Sequence, residues 1–207
     1  MRDKIKQALS KLEASLSGES NSFYKENVKE LIKNSAKKKK AKPLYSAAFL
    51  DSSSREELYN WWKLQTKQAL HERVPGHSHM TIKFKPSRED ILSLPIGEGG
   101  EKTVTVIGYS YDELGQAVQV RVSDDSFSRQ DDGVAHITIS ASKEAPRGFA
   151  YSNDLLSRDI TDVKSGPELK VRIGVFMSNQ EVAYDLGDVF PDLDESDIII
   201  ENSEEEV

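Results

Sequence analysis

Apolar positions in this chain repeat with two different periods. Near the N-terminus Ile5, Leu9, Leu12 and Leu16 step by four, three and four, which makes one stripe along a helix. "SGESNS" breaks that pattern, and Ser22 is placed to cap a second amphipathic helix carrying Tyr24, Val28, Leu31 and Ile32. After the lysine run "KKKKAK" and Pro43 the period changes to two. "LYSAAFLD" predicts a buried strand, and "SSREELYNWWKLQTKQAL" a helix with Leu58, Trp61 and Trp62, where Ser53 and Glu56 have capping-box spacing. "HMTIKF" predicts a strand, and "SREDILSLP" a short helix with Ser87 and Asp90 in box positions. "KTVTVIGYSYDELGQAVQVRVS" predicts two strands around a turn at Asp112 to Gly115. "AHITIS" is another strand, "SNDLL" a short helix opened by Ser152, and "ELKVRIGVFMS" a closing strand.

Mixed helices and strands with a clear hairpin predict an α+β fold with antiparallel pairing. The organisation expected is an accessory helical segment over residues 1–42, a domain over 43–179, and an acidic tail over 180–207 in which "AYDLGDVF" can still pack on the domain.

Charge sharpens that division. The net charge is -7, yet every residue from Gln180 to Val207 is acidic or neutral, so the rest of the chain is mildly basic. Such blocks read as solvated ends; contact with nucleic acid, or pairing of the lysine run with the tail, are the alternatives. Cysteine is absent, which removes disulfides, thiolate metal sites and cysteine nucleophiles. No apolar run approaches the roughly 18 residues that span a bilayer, and "MRDKIKQALSKLEASL" has no continuous apolar stretch. The expectation is a soluble cytoplasmic protein with no membrane partner, whose first 42 residues serve self-association or a protein partner.

Two of the four histidines stand in the same setting, His79-Met-Thr81-Ile and His136-Ile-Thr138-Ile, although the chain has only six threonines. On a strand, His79, Thr81 and Lys83 share one face and Met80, Ile82 and Phe84 the other; His136, Thr138 and Ser140 likewise oppose Ala135, Ile137 and Ile139. Two imidazoles and two hydroxyls converging on one point suit proton transfer to and from a phosphoryl group. A neutral imidazole takes a proton from water, a protonated one gives a proton to the leaving oxygen, and the hydroxyls donate to the non-bridging oxygens. No metal or other cofactor is required by that chemistry.

These paired motifs resemble the H-x-[ST]-hydrophobic motifs of the 2H phosphoesterase superfamily, most closely the RNA-repair branch with the cyclic phosphodiesterase domains of fungal tRNA ligases and related phage and bacterial proteins. "YSAAFLD", the "VIGYSYDELGQAVQVRV" hairpin and "YSNDLL" extend the resemblance over residues 43–179. It implies a bilobal fold with pseudo-two-fold symmetry, the two motif strands facing each other across a central groove. It also implies that His79 and His136 act as general acid and base, in an order left open, with Thr81 and Thr138 on the phosphate. The activity implied is opening of a 2′,3′-cyclic phosphate on an RNA end or nucleotide. Cleavage of cyclic oligonucleotide signalling molecules, as in phage members, and a non-catalytic protein that keeps the fold are the alternatives.

Around the motifs, Tyr45, Phe149 and Tyr151 are candidates to stack a base, and Lys83 and Arg147 to pair with phosphate. Core packing is the competing role for each aromatic. His77 reads as a rim residue, since His77 and His79 alone are too few for a metal centre, and His71 as an exposed helix-end residue. "GEGGEKT" lacks the Walker spacing and leads into a strand, so it is not a phosphate loop.

Overall fold

The computed structural model describes residues 41–193 except 132; the two amphipathic helices expected before that range lie outside the described residues, as do residues 194–207. The elements are β1 (Pro43–Leu50), α1 (Ser52–Thr66), β2 (His79–Phe84), α2 (Arg88–Leu92), β3 (Glu101–Tyr111), β4 (Gly115–Val122), β5 (His136–Ala141), α3 (Tyr151–Arg158), β6 (Thr161–Asp162), β7 (Glu168–Met177), β8 (Val182–Ala183) and α4 (Leu186–Val189). The periodicity therefore located every strand from β1 to β5 and β7. No described helix is long and apolar enough to cross a membrane.

Strand order is β6-β3-β4-β5-β2-β1-β7-β8, and β3 also pairs with β7. That second pairing closes β3-β4-β5-β2-β1-β7 into a six-stranded antiparallel barrel, which leaves those strands without a free edge. The length of β3 makes closure possible. Its first half pairs with β7 from Glu101 to Thr105, while all of it from Val104 to Tyr111 pairs with β4. A register shift between Val106 and Gly108 bends it between the two partners. Gly108 is required at that bend, because a Cβ there would lie 2.6 Å from the Ile160 side chain.

The fold is thus α+β and antiparallel as expected, but it is one closed sheet, and two lobes are not seen in it. The motif strands β2 and β5 lie side by side, Met80 opposite Ile137, not face to face. Alternation explains which side chains fill the barrel. Ala48, Met80, Ile82, Val104, Val106, Val118, Val120, Ile137, Ile139, Leu169, Val171, Ile173 and Val175 are all buried, and α1 adds Leu58 and Trp62. Each Val, Leu, Ile and Met among them contributes on the order of 1.5–3 kcal/mol by leaving water.

The helix ends follow local chemistry. Asp51 caps α1, its carboxylate accepting from the Ser54 amide at 2.6 Å and the Ser53 hydroxyl at 2.9 Å, so the Ser53/Glu56 box is displaced by an acid that meets two donors at once. At α2 the box does form, with Asp90 accepting from the Ser87 amide and Ser87 from the Asp90 amide. α3 begins at Tyr151, one residue before the expected Ser152. It covers the outer face of β4 and β5 with Leu155 and Leu156 over Ala117 and Ala141. Beyond residue 179, β8 pairs with β7 and α4 buries Val189.

Candidate active site

Register places the motif residues. In an antiparallel pair, opposed side chains share a face and approach closely. Continuing the Met80–Ile137 pairing by one residue each way sets His79 opposite Thr138 and Thr81 opposite His136. Neighbouring strands extend both ranks over the outer face of the barrel. One reads Ala117, Thr138, His79, Phe49, Arg172, and the other Gln119, His136, Thr81, Ala47, Gly174. Each histidine therefore stands beside the threonine of the other motif. A local dyad of this kind belongs to any antiparallel pair and needs no two-lobed fold.

The four side chains line a cavity of about 430 Å³ together with Tyr45, Pro75, Phe84, Arg129, Asp131, Phe149, Ala150 and Asn153. The two imidazoles are anchored alike. His79 Nδ1 lies 2.8 Å from the carbonyl of His77, and His136 Nδ1 lies 2.7 Å from the carbonyl of Val134, two residues back in each case. A carbonyl only accepts, so each Nδ1 carries its hydrogen and Nε2 is left for a ligand. When neutral, such an Nε2 is a base; when protonated, an acid.

Surroundings differ between the two. His79 stacks on Tyr45 at 4.9 Å and 21° and packs against Phe49. Burial lowers its pKa below the usual imidazole value, opposed by the hydrogen bond to His77. Burial also drives His136 down, to about 4, opposed by the Val134 carbonyl and assisted by the Arg129 guanidinium. Arg129 Nη1 lies 3.0 Å from His136 Nδ1 and donates to the same Val134 carbonyl at 2.9 Å. Two donors cannot satisfy each other, so both point at the shared acceptor. Arg129 is itself held by Asp131 and by Asn153 Oδ1 at 2.9 Å. The free site therefore favours two neutral imidazoles. Burial also raises the Tyr45 phenol to about 12, so it stays a hydrogen-bond donor at neutral pH.

The threonines are not equivalent either. Thr138 Oγ1 lies 2.9 Å from the hydroxyl of buried Ser152 at the start of α3. No such partner is seen for Thr81 among the described residues. Ser140, expected on the same face, is buried below it, donating to Gln116 and accepting from the His71 amide. His71 is half-buried in the loop after α1, its Nε2 3.1 Å from the Asp112 carbonyl, and is not an exposed helix end.

Of the candidate substrate contacts, Tyr45 and Phe149 line the cavity. Three others do not. Lys83 is drawn away to Asp90 at 2.6 Å. Arg147 pairs with Asp154 on the surface. Tyr151 is buried, donating to Asp112 Oδ2 at 2.5 Å and accepting from Arg158 at 3.0 Å, because α3 needs an aromatic to seat it on the β3–β4 turn. His77 is exposed and packs edge-on to Phe49, outside the cavity lining. Conversely, alternation assigned Phe84 to the apolar side, but it lines the cavity 65 % exposed. β2 ends there and Lys85 takes a left-handed φ of 52°, so the alternation stops. Arg129, Asp131 and Asn153 were not anticipated; they lie on a loop and a short helix, where no periodicity marks them.

No family model matches the chain, and no curated protein matches it. Among solved structures it is similar to one titled "Crystal Structure of Fungal RNA Kinase", at 15% identity and a TM-score of 0.42. That likeness covers 73% of this chain and 48% of that one, so the chain spans about half the length of the protein it matches.

Proposed function

We propose that this protein is a metal-independent phosphodiesterase that opens a 2′,3′-cyclic phosphate, with a cyclic-ended RNA as substrate. The observation that carries the reading is the matched anchoring of His79 and His136. Each has Nδ1 tied to the carbonyl two residues back and Nε2 left for a ligand, beside two threonine hydroxyls in one cavity. In the reaction, one neutral imidazole takes a proton from water as its oxygen bonds to phosphorus. The other, protonated, gives its Nε2 proton to the ribose oxygen as that P–O bond breaks. Thr81 and Thr138 donate to the non-bridging oxygens, where charge accumulates.

A bound phosphate also supplies what the two imidazoles lack by themselves. Both imidazoles are disfavoured as cations by burial, and the anionic phosphate between them offsets that desolvation for one of the two. Protonation of the acid is thereby coupled to substrate binding. The pairing of two H-x-T strands, on which the 2H resemblance rests, supports the same reading, as do the exposed rings of Phe84 and Phe149 at the rim, suited to stacking a base.

The test is product formation in EDTA from a short RNA with a 2′,3′-cyclic end and from a panel of 3′,5′-linked cyclic di- and trinucleotides. The expected result is turnover of the RNA by wild type and its loss in both His79→Ala and His136→Ala. Turnover of the cyclic oligonucleotides alone would move the substrate to signalling molecules. Inertness toward every substrate would overturn the enzyme reading.

A further inference from the structure

A second cavity, of about 750 Å³, lies on the same outer face, lined by Phe49, Asp51, Glu101, Thr103, Lys170, Arg172 and Tyr184 among others. Its relation to the histidines follows from register. The rank that holds Thr138 and His79 continues through Phe49 to Arg172 and then to Glu101 on β3. Two inter-strand steps separate His79 from Arg172, roughly 10 Å. Phe49 forms the divide, its ring 5.4 Å from that of His79 and 6.0 Å from that of Tyr184.

Two of this cavity's three cations have no direct ion pair, although the Lys170 charge helps to hold the Asp51 pKa down. No carboxylate lies within ion-pair distance of Lys170 or Arg172 among the described residues, whereas Lys102 is engaged by Asp124 at 3.1 Å. Arg172 is preset, its guanidinium 4.8 Å from the Tyr184 ring. Tyr184 can lie on the sheet only because residue 174 is glycine; a Cβ there would come within 2.9 Å of the ring. Of the two acids, Asp51 is occupied in capping α1, while Glu101 stands opposite Arg172 as a free acceptor. The lining thus offers two cations for a phosphodiester, a carboxylate for hydroxyl or amino donors, and the Thr103 hydroxyl. A nucleotide unit presents that same mixture, where a bare anion does not.

We infer that the Arg172 cavity is a second nucleotide subsite, holding the residue next to the reacting phosphate, so that the protein takes an oligonucleotide and not a lone cyclic nucleotide. This rests on the phosphodiesterase reading above. Lys170 and Arg172 pair with the adjoining phosphodiester.

Calorimetric titration of the full chain with RNA of one, two and four nucleotides, each with a terminal 3′-phosphate, tests it. In wild type the Kd should tighten about tenfold from one to two nucleotides, the size of a charge-assisted contact, with little further gain at four. In a Lys170→Ala/Arg172→Ala variant the ratio of those two Kd values should fall to near one. A ratio is insensitive to the fraction of folded protein. A wild-type ratio near one, or a ratio the double variant leaves intact, overturns the subsite. Failure of the underlying reading shows separately, as mononucleotide binding that is absent or indifferent to His79→Ala.

Discussion

The surroundings of His79 and His136 differ far more than the histidines do. Both rings are oriented by the same backbone device, and both lose basicity through burial. Yet His79 is walled by the rings of Tyr45 and Phe49, while His136 sits in a polar web of Arg129, Asp131 and Asn153. An aromatic wall excludes water and holds a ring in place without adding charge. A guanidinium beside Nδ1 adds a field that opposes a second proton. Equal local geometry can therefore support unequal roles, decided by what each strand packs against.

Removing either imidazole of that pair tests its equivalence most directly. His79→Ala and His136→Ala should each lower kcat/KM on a cyclic-ended RNA by about 10² to 10⁴. Single-turnover rates measured for both would show a large loss for each if acid and base both act. A loss confined to one would reduce the pair to a single catalytic imidazole.

Acid sensitivity comes next. The folded pKa of His136 lies below the ordinary value of 6.5, so as pH falls the unfolded chain takes up the proton first. Its neutral form therefore contributes stability that is whole above about pH 6.5 and lost progressively toward pH 4, on the order of 3 kcal/mol. Urea unfolding from pH 7.5 to 4.5 should show wild type losing more stability than His136→Gln. Parallel curves would mean that burial of this ring is not opposing its charge.

Arg129→Gln should cost about tenfold to a hundredfold in kcat/KM, as small misplacements of a reacting group do. With the guanidinium gone the His136 pKa rises, and NMR titration of that ring should follow it upward while His79 moves little. A shift of equal size in both rings would break the asymmetry. The smallest effects belong to the surface pairs. Lys83→Ala and Arg147→Ala, each removing an ion pair outside the cavity, should leave kcat and KM within about twofold. A tenfold rise in KM for either would return that side chain to the site.

The H-x-T strands were legible because alternation is local: a two-residue period states which side chains share a face, and HMTIKF and HITIS state it clearly. The same reasoning misplaced Phe84, where the strand ends, and could not separate Tyr45 and Phe149, which reach the cavity, from Tyr151, which is buried to seat α3. Lys83 was on the right face but claimed by Asp90, because the α2 capping box brings that carboxylate back over β2.

By itself the sequence determined the six barrel strands, the faces of the two motif strands and the four side chains those faces carry. Each follows from contacts within a few residues, down to the carbonyl two positions back that orients each imidazole. Tertiary structure alone decided that β2 and β5 are neighbours, that β3 closes the sheet through β7, and that Arg129 and Asn153 meet at His136. Apart from Arg129 and His136, seven residues apart, those contacts join residues far apart in the chain, and they are chosen by which closed arrangement buries the most apolar surface and leaves the fewest strand groups unpaired, a property of the whole barrel that no short stretch encodes.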